Sequence, residues 1–198
     1  MNAPYTTPNR YHPISVFLHW LIFLLFAAAL GFIEYRGYLP KGDLLKKTLR
    51  NWHMLAGQLA FLFVLLRIMA RLKFAAPAAV SGAHWQTLSA KVTHGLLYAV
   101  MLALPVSGVL FTQAGGKEVQ FFGLVLPTLI APDAALKTNI RYLHEWVGNA
   151  IYFLVGLHVL GALWHQWIKK DGLMNRMATP LRQPRELAVS NPLQTLSR

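Results

Sequence analysis

The sequence predicts an all-α integral membrane protein, a bundle of four transmembrane helices. Three observations point there: 55% of the 198 residues are hydrophobic and only 13% are charged, mean hydropathy is +0.40, and four long stretches lack Asp, Glu, Lys and Arg. An average soluble domain is roughly one-quarter charged, so this chain has too little polar surface to coat a water-soluble globule. It contains no cysteine, which excludes structural disulfides, thiolate zinc sites, iron-sulfur clusters and thioether-linked haem. Any metal must be held by His, Met or carboxylates.

The uncharged stretches run from Tyr11 to Ile33, Asn51 to Leu66, Val92 to Gly116 and Trp146 to Ile168. A helical crossing needs about 20 mainly apolar residues. The first, third and fourth reach that length, and the second reaches it if the helix runs through Arg67 to Arg71. The predicted spans are therefore 11–33, 51–71, 92–116 and 146–168. An arginine inside a span must snorkel or meet an anion. Phe74 to Ala90, broken by Pro77, Ser81 and Gly82, reads as a loop, and Val119 to Pro132, interrupted by Pro127, as an interfacial loop. The apolar run that follows the polar start is too long for a signal-peptide core, so we expect it to be retained. Residues 178–198 lack helical periodicity and are predicted to be a mobile tail on a 1–177 transmembrane domain.

The formal charge is +12, from 19 Lys plus Arg against 7 Asp plus Glu. A nucleic-acid binder would gather these cations on a soluble face, whereas here they bracket apolar runs. They read as topology signals and contacts to the lipid bilayer, with no nucleic acid implied. Arg10, Arg67, Arg71, Lys73, Lys91, Lys169, Lys170 and the basic tail fall on one side, which the positive-inside rule places in the cytoplasm with both termini. On the opposite side Arg36, Lys41, Lys46, Lys47 and Arg50 crowd the first outer loop.

Six of the eight histidines, all but His12 and His84, lie within or at the end of a span. Ionisable groups in hydrocarbon are costly, and a satisfied interhelical hydrogen bond explains one or two of them, not six. Depth sorts them. His53 follows Arg50 and His144 follows Arg141 by about one turn, so both sit at the outer ends of helices two and four. His19 and His158 share a deeper level on helices one and four. From His144 to His158 an α-helix rises roughly 21 Å and returns to within about 40° of the same face. Helix four thus offers one ligand to each of two stacked sites. Opposed imidazoles with no thiolate suit a planar metallocycle better than a tetrahedral ion, and two b-type haems stacked across the bilayer are the predicted cofactors. Gly57 and Gly148, one turn beyond His53 and His144, leave room for a porphyrin face, although close helix packing explains them equally well.

Haem propionates need cations. Arg67 and Arg71 are the candidates at the inner level and Arg36 at the outer one. His94 and His165 lie shallow on the inner side as a third, interfacial pair, placed to exchange protons with a lipid-soluble two-electron carrier. Headgroup contact is the plain alternative. Trp20, Trp52, Trp85, Trp146, Trp164 and Trp167 mostly mark span ends, as an aromatic belt does.

Several segments together, FLHW, EYRGYLP, NWHMLAG, LLRIMARLKFAAP, THGLLYAVMLALPVSG and LHEWVGNAIYFLVGLH, resemble the bacterial cytochrome b561 family over roughly Tyr11 to Met177. The resemblance implies a di-haem protein of the bacterial inner membrane, with His19 paired to His158, His53 paired to His144, and a quinone pocket at His94 and His165. The likeness is greatest to family members that take electrons from superoxide at the periplasmic face and pass them to ubiquinone. The outer basic residues Arg36, Lys41, Lys46, Lys47 and Arg50 would raise the local concentration of such an anion. A rival expectation is a haem b subunit that links a soluble dehydrogenase or hydrogenase, as redox protein partner, to the quinone pool. A third is a proton or metal-ion transporter, disfavoured because no carboxylate lies inside a predicted span.

Overall fold

A computed structural model describes residues 10–78 and 83–178. Four long helices, α1 (Pro13–Tyr38), α2 (Leu45–Lys73), α3 (His84–Ala114) and α4 (Ala134–Trp164), make up the fold. Each is long and apolar enough to cross a membrane. The polar start before residue 10 and the predicted tail beyond 178 lie outside the described residues.

Each helix outruns at least one end of its predicted span, and the reason is physical. A charged side chain ends a hydropathy count but does not interrupt the backbone ladder, so the helices continue through the interfacial layer. α1 starts with Pro13 in its first turn, where no N–H is needed, and the His12 imidazole accepts the Ile14 N–H at 3.3 Å. It stops just before Pro40. At the next turn Asp43 Oδ1 accepts the Leu45 N–H at 2.8 Å and α2 begins at once. α3 begins at His84, so part of the predicted Phe74–Ala90 loop is helical. α4 begins at Ala134, far ahead of Trp146, because Asp133 caps it by accepting the Leu136 N–H at 2.8 Å.

The connection between α3 and α4 folds back as a small hairpin, β1 (Gln120–Phe121) against β2 (Leu124–Val125). Phe122 and Gly123 turn it with φ of 49° and 83°, the paired positive angles that a two-residue turn of this hand requires. The buried Gln113 side chain clamps this segment, donating to the Pro127 carbonyl at 2.8 Å and accepting the Leu129 N–H at 3.0 Å. Gln58 on α2 holds the hairpin from the other side, donating to the Gln120 carbonyl at 3.2 Å.

α1 packs along α2 and α3 along α4, giving two helical hairpins that touch each other chiefly through α2 and α3. Leu18, Ile22, Val64 and Ala70 form a buried cluster, with Phe26, Phe63 and Tyr98 packed against it. Large apolar side chains such as Phe17, Leu24, Met69, Phe153 and Leu160 are exposed on the outside, which is where lipid replaces water as solvent. Arg67 is buried within α2 and donates to the Ser15 carbonyl at 2.5 Å and the Tyr98 hydroxyl at 3.1 Å. The arginine therefore enters the span with its hydrogen bonds made by α1 and α3.

Candidate functional site

The seam between the two hairpins is bridged at two levels by histidines from opposite sides. His19 of α1 faces His158 of α4 with ring centroids 6.1 Å apart, and His53 of α2 faces His144 of α4 at 6.2 Å. Two imidazoles that would hold one metal atom between them, each bound at about 2.0 Å, need ring centroids roughly 6 Å apart. Both pairs match. Among the described residues no group of three or more His, Cys, Asp or Glu could hold a bare ion.

At the level nearer the α1–α2 turn, predicted to be the outer one, the hydrogen bonds select the coordinating nitrogen. His53 Nδ1 lies 2.8 Å from the Ala29 carbonyl. A carbonyl only accepts, so Nδ1 carries the proton and Nε2 keeps its lone pair. His144 Nδ1 lies 2.9 Å from Ser107 Oγ, whose own hydroxyl donates to the Leu104 carbonyl at 2.9 Å. Ser107 must therefore accept from Nδ1, and Nε2 is again free. Such outer partners orient metal-ligating histidines and make them better donors. Ser107→Ala is expected to weaken haem retention at this level by roughly 10- to 100-fold, measured as the rate of haem transfer to a scavenging apoprotein, while the His19–His158 level keeps its haem.

A cavity of about 880 Å³ surrounds this level. His53, His144, Gly57, Gly108 and Gly148 line it, as do the cations Arg36, Arg50, Lys117, Lys137 and Arg141 and the carboxylates Glu34, Glu118 and Glu145. An added Cβ at Gly57 or Gly148 meets nothing within 4 Å, so neither glycine is demanded by helix packing. Arg36 Nε and Arg50 Nε are buried without a hydrogen-bond partner. A large cavity lined by Arg36, Arg50 and two opposed imidazoles fits an anionic planar cofactor. Arg141, by contrast, is engaged with Glu145 at 2.8 Å.

The deeper level joins His19, His158 and His94, whose ring lies 5.2 Å from that of His158. His94 thus packs on the inner pair instead of sharing a shallow level with His165, which is hydrogen-bonded to Asp171 at 2.5 Å. The difference comes from α3, which starts earlier than its predicted span. Arg67 is the buried cation beside this level. Arg71 lies with its guanidinium carbon 5.3 Å from the centre of the Tyr11 ring. Lys41 is exposed on the α1–α2 turn, Lys46 is half-buried and Lys47 exposed in the first turn of α2, and none of the three lines the cavity.

Sequence reading missed Ser107, Arg50 as a cavity-lining cation with a buried donor, and Asp171. The Asp133 cap was available as a signal for the early start of α4. No local pattern marks Ser107, because a serine in an apolar helix reads first as a packing residue.

A family model described as prokaryotic cytochrome b561 matches residues 10–180. Cytochrome b561 homolog 1 of Escherichia coli K12 is 31% identical over 170 residues, covering 85% of this chain and 97% of that protein. Probable superoxide oxidase CybB of Yersinia pestis is 28% identical over 170 residues, covering 85% and 96%. Cytochrome b562 of Cereibacter sphaeroides is 28% identical over 183 residues, covering 88% and 99%.

Proposed function

The chain belongs to the prokaryotic cytochrome b561 family of membrane b-type cytochromes, and on that premise we propose that it holds two b haems and oxidises superoxide, with ubiquinone as acceptor. The proposed setting is the bacterial inner membrane, with both termini cytoplasmic and the His53–His144 level toward the periplasm. The balance is two superoxide ions plus ubiquinone plus two protons, giving two dioxygen molecules and ubiquinol. Bound haem would supply a reversible one-electron iron couple at each level.

The observation that carries this reading is the cation-lined cavity at the outer pair. His53 and His144 would hold the outer haem and His19 and His158 the inner one. Arg36 and Arg50 line that cavity, and Lys41, Lys46 and Lys47 lie in the same basic segment of the chain. A positive field in a low-dielectric cleft raises both the concentration and the arrival rate of a small anion. At the inner side Arg67 and Arg71 supply the cations, and His94, packed on the inner pair, and His165, paired with Asp171, supply the imidazoles of the proposed quinone site.

A haem b subunit serving a soluble dehydrogenase needs an outer docking surface, typically about 800 Å² per partner. The α1–α2 turn is short, and the α3–α4 connection is folded down onto α2 through Gln58, which favours a small-molecule donor. Purified protein given enzymatically generated superoxide and ubiquinone-1 is expected to form one ubiquinol per two superoxide ions, and superoxide dismutase should stop it. Quinol formation indifferent to the dismutase would exclude superoxide as the donor.

A further inference from the structure

The inner end of α4 holds a titratable pair used by neither histidine bridge. α4 passes into a single π turn, His165–Lys169, and Lys170 then takes a left-handed conformation with φ of 52°. Wider turns of this kind recur at functional sites. The reversal brings Asp171 back onto His165, with Nδ1 and Oδ2 2.5 Å apart and side chains only 23% and 17% exposed. The other carboxylate oxygen, Oδ1, accepts the Leu173 N–H at 3.2 Å. Lys169 donates to Gln86 Oε1 on α3 at 2.6 Å, so its ammonium is held by a side chain other than Asp171.

The segment after Asp171 is fixed as well. Trp20 Nε1 donates to the Met177 carbonyl at 3.1 Å, and Arg176 donates to the Ala78 carbonyl at 2.7 Å. Burial alone would raise the Asp171 carboxyl, but the hydrogen bonds from His165 and Leu173 outweigh it and hold the group below the usual range. Asp171 therefore stays an acceptor, Nδ1 of His165 keeps its proton, and Nε2 is the nitrogen left to exchange one.

Resting on the reading that a quinone is the acceptor, we propose that Asp171 is a positioning residue for quinone protonation: it fixes the His165 ring so that Nε2 delivers a proton to the quinone oxygen at the inner surface. Each quinol takes up two electrons and two protons. For a proton passed by His165, the imidazolium Nε2–H bond breaks, a quinone O–H bond forms, and the imidazole is reprotonated by water on the inner side. Asp171 keeps its hydrogen bond to Nδ1–H throughout and stabilises the imidazolium between transfers.

The test uses the full-length holoprotein, chemically reduced without oxygen and then mixed with ubiquinone-1 or with ferricyanide, which takes an electron but no proton. Haem reoxidation is followed by visible absorbance. Asp171→Ala is expected to slow the quinone reaction about tenfold or more and leave the ferricyanide reaction unchanged, while Asp171→Glu, which keeps a carboxylate, recovers part of the rate. Equal slowing with both oxidants, or an Ala variant within about twofold of wild type on quinone, overturns the role of Asp171. Wild-type protein that ferricyanide oxidises and ubiquinone-1 does not would overturn the acceptor reading and the dyad with it, and superoxide plays no part in any of these outcomes.

Discussion

His144→Ala is expected to cut haem content from two per chain to one and to abolish superoxide-driven quinol formation. The two levels are held independently: His144 meets His53 at 6.2 Å and His158 meets His19 at 6.1 Å, and only α4 contributes to both. Alanine at position 144 removes one of the two imidazoles proposed to hold the outer haem and also leaves Ser107 without the ring it accepts from. His53→Ala should reproduce the loss, since His53 is the opposing ligand. His158→Ala should instead remove the deeper haem, which leaves superoxide oxidation at the outer level with no onward route to quinone. A haem-to-polypeptide ratio with reduced-minus-oxidised spectra for the three variants distinguishes these losses. Retention of two haems in either outer variant would refute the ligand scheme.

A double variant, Arg36→Gln with Arg50→Gln, is expected to lower the second-order rate with superoxide by about tenfold at low ionic strength. Both side chains line the outer cavity and both have a buried Nε without a partner, so their charge is not cancelled by a neighbouring carboxylate through that atom. The wild-type rate should fall as salt is raised, because the Debye length contracts to about 8 Å near physiological ionic strength. The double variant should depend less on salt, and the two rates should converge. A rate that is equally salt-dependent in both proteins would move the source of attraction to Lys41, Lys46 and Lys47 around the start of α2.

The depth of His19, His53, His144 and His158 was legible, though that of His94 was not, because it follows from one constraint, that charged groups mark the interface and apolar runs cross it. Counting from Arg50, Arg141 and Lys169 put His53 with His144 and His19 with His158, and the ring centroids meet in those pairs. Helix ends were less legible, since hydropathy reports where lipid begins while the hydrogen-bond ladder reports where the helix begins. At α4 the two differ most, although Asp133 followed by Leu136 carries a capping signal. Partners that depend on the approach of one helix to another, such as Ser107 to His144, leave no periodic trace. The Asp171 to His165 contact was hidden for a different reason: it depends on a π turn and a left-handed Lys170, a conformation that non-glycine residues seldom adopt and composition does not announce.

Because α4 alone serves both levels, the chain's tolerance of insertions and deletions is uneven. One residue added between His144 and His158 would turn one ligand about 100° away from its partner and lift it about 1.5 Å, and no adjustment at either end of the helix would restore both pairs at once. α1 and α2 carry one of the paired imidazoles each and can gain or lose residues at their termini while the single imidazole is brought back by sliding or rotating the whole helix. Length variation is thus expected to be tolerated at the turn 39–44 and within the loop 115–133, and to break one histidine pair when it falls in the thirteen-residue stretch between His144 and His158, whatever side chains occupy it.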